Sequence, residues 1–137
     1  MLVFMSCDVE QHYKYAEPLY DYFSEVHNQD FRDFKGEQKI VILTLSGCSP
    51  CVKDVMNSLI NTYTDDTMLL AAGTSTELVV SNMLSQLQQI YPMMLDPENL
   101  LIKYRANISG PTLVYFSKSL VEATELKVNN MSMIFEK

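Results

Sequence analysis

Two kinds of hydrophobic pattern alternate along the chain, and together they predict its architecture. KIVILTL (39–45) and TMLLAA (67–72) are short continuous apolar runs, which suits strands covered on both faces of a sheet. Between them Val52, Val55, Met56, Leu59, Ile60 and Tyr63 recur with a 3.6-residue period, which predicts a helix with one apolar stripe. After the second run, Leu78, Val79, Met83, Leu84, Leu87 and Ile90 predict another helix. Residues 73–77 open it, and Thr74 and Glu77 have the spacing of a capping box. Tyr91-Pro92 stops that helix, PMMLD is a short apolar piece, and Asp96-Pro97 starts a brief helix through DPENLLIKY. TLVYF (112–116) reads as a strand and LVEATELKV as a second one. Asn129-Asn130 then either turns a hairpin into MSMIF or leads into a short terminal helix.

Upstream, Pro18 suits a first helical position, and Leu19, Tyr22, Phe23 and Val26 follow at helical spacing, with an end near His27-Asn28. The phenylalanines of QDFRDF are expected to pack back on the sheet, and Gly36 marks a turn. MLVFMSC admits three readings: a strand from Leu2 to Met5, a frayed end, or the tail of a bacterial lipoprotein signal. The third rests on an apolar run ending in Ser6 directly before Cys7, the position at which such a cysteine is lipidated. The segment has no basic region of its own.

The order strand, helix, strand is a βαβ unit, whose right-handed crossover makes the first strands parallel. The predicted class is therefore α/β, a central mixed sheet with helices on both faces, preceded by an N-terminal helical extension. Residues 1–36 form that extension and 37–137 the main domain.

Composition removes several function classes. Of 137 residues, 17 are acidic and 10 basic, giving a net charge of −7 with no Lys/Arg cluster, which argues against nucleic-acid binding. No apolar run approaches the roughly 20 residues of a membrane helix. The three cysteines, Cys7, Cys48 and Cys51, are too few and too unevenly spread for a disulfide framework.

Local cysteine chemistry remains, centred on SGCSPC (46–51). Cys48 ends a predicted buried strand and immediately precedes a helix, whose N-terminal partial charge and unpaired N–H groups favour a thiolate. Cysteines in such motifs fall from about 8.5 to roughly 3.5–7.5. Cys51, about one turn further, is expected to be the more buried partner, close enough to attack a disulfide formed on Cys48. Pro50 stiffens the loop. Zinc would need four ligands, and the remaining candidates, Cys7, His12 and His27, stand at no recognised spacing. Two inert thiols that merely pack are the other alternative. His12 and His27, the methionines and the tyrosines read as packing or surface residues.

Strand-CxxC-helix at 39–63, the βαβ order with a terminal hairpin, and Gly110-Pro111-Thr112 opening the next strand make residues 37–127 resemble the thioredoxin-like superfamily. That resemblance implies thiol-disulfide exchange on protein substrates. Cys48 would attack, Cys51 resolve, and Ser49-Pro50 set the reduction potential. It also implies a cis peptide bond at Pro111, with the Gly110 backbone pairing to the bound substrate strand. No cofactor or metal is implied; the partners are protein thiols and disulfides and a redox partner of unknown identity. The chain departs from the family pattern in lacking tryptophan, in holding no acid in KIVILTL near Ile42, and in the shortness of its C-terminal helix. The extra N-terminal length and the insert before Pro111 resemble envelope-facing members. With the lipoprotein reading of Cys7, this places the protein in the bacterial envelope, membrane-attached through a lipid; the cytoplasm is the alternative. Two other functions stand against exchange. One is a redox-inactive thioredoxin-fold binding module with a static CxxC. The other is a peroxidase, which would need an arginine, Arg32 or Arg105, beside the thiolate.

Overall fold

The computed structural model describes residues 16–46, 49–118 and 120–136. Five strands, β1 (Glu37–Thr44), β2 (Thr67–Ala72), β3 (Met93–Asp96), β4 (Thr112–Ser117) and β5 (Leu120–Glu125), form one sheet in the order β3-β2-β1-β4-β5. β1, β2 and β3 run parallel, while β4 is antiparallel to both β1 and β5. The helices are α1 (16–27), α2 (Ser49–Asn61) and α3 (Leu78–Ile90). Short 3₁₀ turns span Leu100–Tyr104 and Met131–Phe135.

Alternation along each strand sorts side chains into two cores. Val41 and Leu43 face one way, with Leu69 and Leu113, onto Val52, Val55, Met56 and Leu59 of α2 and Val80, Met83 and Leu87 of α3. Ile40 and Ile42 face the other way, with Leu70, Val114 and Phe116, onto Leu19, Tyr22 and Phe23 of α1. The unit β1-α2-β2 and the unit β2-α3-β3 step across the sheet in the same direction. Right-handed crossovers therefore put both helices on one face, where they touch each other. α1, assigned by sequence to an extension, is part of the opposite core. Phe31 and Phe34 pack back as expected: Phe31 stacks on Phe116 at 4.3 Å between centroids, and Phe34 meets Phe31 edge-on at 5.5 Å.

Several local expectations change. The first helix is already helical at Ala16, so Pro18 sits within its early turns. The capping box does not form: α3 begins at Leu78, Glu77 makes no side-chain cap, and the Glu77 N–H is instead taken by Ser75 Oγ at 3.2 Å. The α3 stripe is Val80, Met83 and Leu87, leaving Leu78 74% and Val79 57% exposed. At its far end Tyr91 is buried and donates its hydroxyl to the Leu59 carbonyl of α2 at 3.0 Å. PMMLD supplies β3, an edge strand of four residues between Pro92 and Pro97. Beyond β5 the chain forms the short terminal helix, not a hairpin, with Ile134 buried.

Candidate functional site

The carboxyl ends of three parallel strands meet in one line, because Thr44 pairs with Ala72 and Ala72 with Asp96. β4 enters this same end from the opposite direction. Its first residue, Thr112, pairs with Ile42, which sets Gly110-Pro111 beside the end of β1, from which the chain runs into the cysteine motif. Residues that the sequence separates by about sixty positions thus share one end of the sheet.

The approach to the motif is braced. The Leu45 N–H donates to the Ala72 carbonyl at 2.9 Å, extending the ladder beyond β1, and the Gly73 N–H donates to the Asp96 carbonyl at 2.8 Å. Gly73 has φ +85°, a conformation open to glycine, and a Cβ there would fall on Ser46 Oγ. Ser46 therefore rests on the bare backbone of Gly73.

Cys48, the proposed attacking residue, and Cys7 lie outside the described residues. Ser49 and Pro50 open α2, where a missing N–H costs no helical bond. Cys51 is in the first turn of α2 and is exposed. This corrects the expectation of a buried second cysteine. Val52, Val55, Met56 and Leu59 claim the sheet-facing stripe, so residues 51, 54 and 57 share the solvent side. The first turn of α2 holds no acid to oppose a thiolate. Lys53 of α2 instead pairs with Glu77 at 2.8 Å, tying α2 to the start of α3.

Gly110 and Pro111 are buried. Among the described residues no peptide bond is cis, so the bond joining them is trans, contrary to the expectation for Pro111. The trans form is the lower-energy state of an X–Pro bond, and it is compatible with the surrounding bonds. Thr112 Oγ1 donates to the Gly110 carbonyl at 2.8 Å, and the Leu126 N–H donates to the Pro111 carbonyl at 2.8 Å. The Gly110 N–H has no acceptor among the described residues.

A second polar feature, which sequence reasoning missed, lies under the same end. Asp96 is 2% exposed, and its carboxylate accepts from the N–H groups of Leu100 at 2.9 Å and Leu101 at 3.0 Å and from the Tyr22 hydroxyl at 2.8 Å. His27 Nε2 stands 2.8 Å from the Tyr22 oxygen. Tyr22 has one hydrogen and gives it to Asp96, so His27 carries its proton on Nε2 and donates to Tyr22. Burial, then the hydrogen bond to Asp96, push the Tyr22 phenol far above its ordinary range. Burial lowers the His27 pKa, and the Asp96 charge offsets part of that. The Asp96-Pro97 signal did point to a helix start here; its partners on α1 had no local signal.

A small hollow of about 270 Å³ adjoins the site, between Leu45, Gly73, Val80, Leu84 and Leu95. A larger one, about 860 Å³, lies at the opposite end of β1 around Glu37, Asp66 and Glu136. It lies away from the end of β1 from which the chain runs toward the cysteine motif. Among the described residues no group of three or more His, Cys, Asp or Glu is disposed to hold a metal ion, and no helix is long and apolar enough to cross a membrane.

A parallel βαβ core entered at its end by an antiparallel pair, with helices on both faces, matches the arrangement expected from the resemblance. The class is α/β, a mixed five-stranded sheet with helices on both faces. No family model and no curated protein matches the chain. A solution structure of a thioredoxin-like protein in the oxidized form is similar to it at 16% identity, over 79% of this chain and 86% of that one, with a TM-score of 0.47.

Proposed function

We propose that the protein exchanges thiols and disulfides on protein substrates through Cys48 and Cys51. The observation that carries this reading is an exposed Cys51 in the first turn of a helix that follows a buried strand and has no acid in that turn. The Cys48 thiolate attacks a substrate disulfide, forming a Cys48–substrate disulfide and releasing one substrate thiolate. The Cys51 thiolate then attacks the Cys48 sulfur, closing the Cys48–Cys51 disulfide and releasing the second. Two electrons and two protons pass from the protein dithiol to the substrate, and the reverse sequence oxidises substrate thiols. Ser49 and Pro50 tune the potential. Gly110 supports the substrate strand, its N–H being without an acceptor among the described residues. On the same reading the protein works in the bacterial envelope, held there by a lipid on Cys7.

A static thioredoxin-fold module is the second reading. It is favoured by the trans Gly110–Pro111 bond and by the absence of an acid beyond Glu37 in β1. A redox titration in glutathione buffers, with alkylation and mass spectrometry to count thiols, separates the two. A reversible two-electron transition between about −120 and −270 mV supports exchange, whereas a pair that never oxidises, or stays oxidised far below −300 mV, supports the module.

A further inference from the structure

Glu125 is the last residue of β5 and pairs with Thr112, two residues beyond Gly110. An ideal Cβ built on Gly110 would stand 3.7 Å from Glu125 Cδ and 3.8 Å from Oε2, so the carboxylate borders the space that a side chain at Gly110 would fill. Gly110 has no side chain to screen it. Two bonds hold the Glu125 main chain in place. The Asn130 side-chain amide donates to its carbonyl at 2.9 Å, and the next residue, Leu126, donates its N–H to the Pro111 carbonyl at 2.8 Å. The carboxylate itself has no hydrogen-bond donor and no cationic partner among the described residues. A fixed main chain thus carries an uncompensated negative charge to the place where the substrate strand is seated.

We infer that Glu125 sets substrate specificity, selecting disulfides whose cysteine is flanked by a basic residue and disfavouring those flanked by an acidic one. This rests on the exchange reading above. A unit charge on the peptide about 5 Å from Glu125 in a water-like medium changes the encounter by about three- to fivefold in either direction. The preference shrinks as salt rises, because the carboxylate is exposed. The net charge of −7 attracts cationic peptides in general, so the local contribution is read from variants.

The test uses three peptides that differ only in Lys, Gln or Glu beside a cysteine held in a mixed disulfide with a neutral thiol. The second-order rate of release of that thiol by the reduced full chain is measured at about 0.15 M ionic strength, where surface charges beyond about 8 Å are screened. The wild type is expected to rank Lys over Gln over Glu, with about twofold steps at this ionic strength, where screening roughly halves the free energy of the unscreened interaction. Glu125→Gln flattens the series and Glu125→Lys reverses it. Glu136→Gln, which changes net charge equally but lies at the other end of the sheet, keeps the wild-type order. A flat wild-type series, or an order unchanged in Glu125→Gln, overturns the assignment while leaving exchange intact. Failure of all three peptides to react overturns the exchange reading, and the assignment with it.

Discussion

The Tyr22 hydroxyl donates to Asp96 at 2.8 Å, joining α1 to the end of β3 across 74 positions of sequence. The acceptor is a nearly fully buried carboxylate that also collects two backbone N–H groups. A buried charge is tolerated only when its hydrogen bonds are made. Replacing Tyr22 with Phe keeps the ring contacts with Phe23 and Tyr104 and removes the hydroxyl that donates to Asp96 and accepts from His27. The variant is expected to lose about 1.5–3 kcal/mol in urea denaturation, the range for a bond to a charged group. A loss below about 0.5 kcal/mol would mean that water replaces the hydroxyl.

His27 makes stability depend on pH. Its folded pKa is depressed below the unfolded 6.5, chiefly by burial, so the unfolded chain takes up the proton first. Stability therefore falls as pH drops through about 6.5 toward the lower folded value, with a slope of at most about 1.4 kcal/mol per pH unit. Denaturation midpoints between pH 7.5 and 5.5 should show this decline, and His27→Gln should flatten it. An equal slope in the variant would assign the dependence to other groups.

Gly73→Ala combines a positive φ with a collision against Ser46. The variant is expected to be destabilised by about 1–3 kcal/mol, from left-handed backbone strain plus overpacking. Adding Ser46→Gly should recover the collision and leave the strain, so the double variant lies between the single variant and the wild type. The same series should alter the alkylation rate of Cys48, since Ser46 leads into the motif. An unchanged rate in a folded Gly73→Ala would uncouple Gly73 from the cysteines.

Removal of each cysteine gives opposite results if exchange occurs. Cys51→Ala leaves the Cys48–substrate disulfide with no resolving thiol, so a mixed disulfide accumulates and is visible on non-reducing gels. Cys48→Ala yields none. Equal trapping by both variants would remove the assigned order of attack.

β1 and β2 are legible in the sequence because each is an unbroken apolar run, and α2 because it carries an unbroken 3.6-residue period. α3 is misphased because Leu78, Val79 and Val80 are adjacent and equally apolar, yet only Val80 can face the sheet. β3 is four residues whose identity as a strand depends on pairing with β2, a contact local pattern does not encode. The exposure of Cys51 was implicit in the stripe Val52, Val55 and Met56, which already turns residue 51 outward. Nothing local links His27 or Tyr22 to Asp96, or Glu125 to Gly110; those pairings arise only when the sheet closes.

β3 also has a consequence for how the molecule behaves among its own copies. Among the described residues β3 is outermost at its margin of the sheet, where a strand offers its open main-chain groups to any extended chain that meets it, and Leu95 there is 53% exposed. Four residues give few such groups, and Pro92 and Pro97 withhold an N–H at either end, so a neighbour adding there finds a ladder that cannot lengthen. At this margin of the sheet, resistance to aggregation is built into the edge itself and needs no covering element.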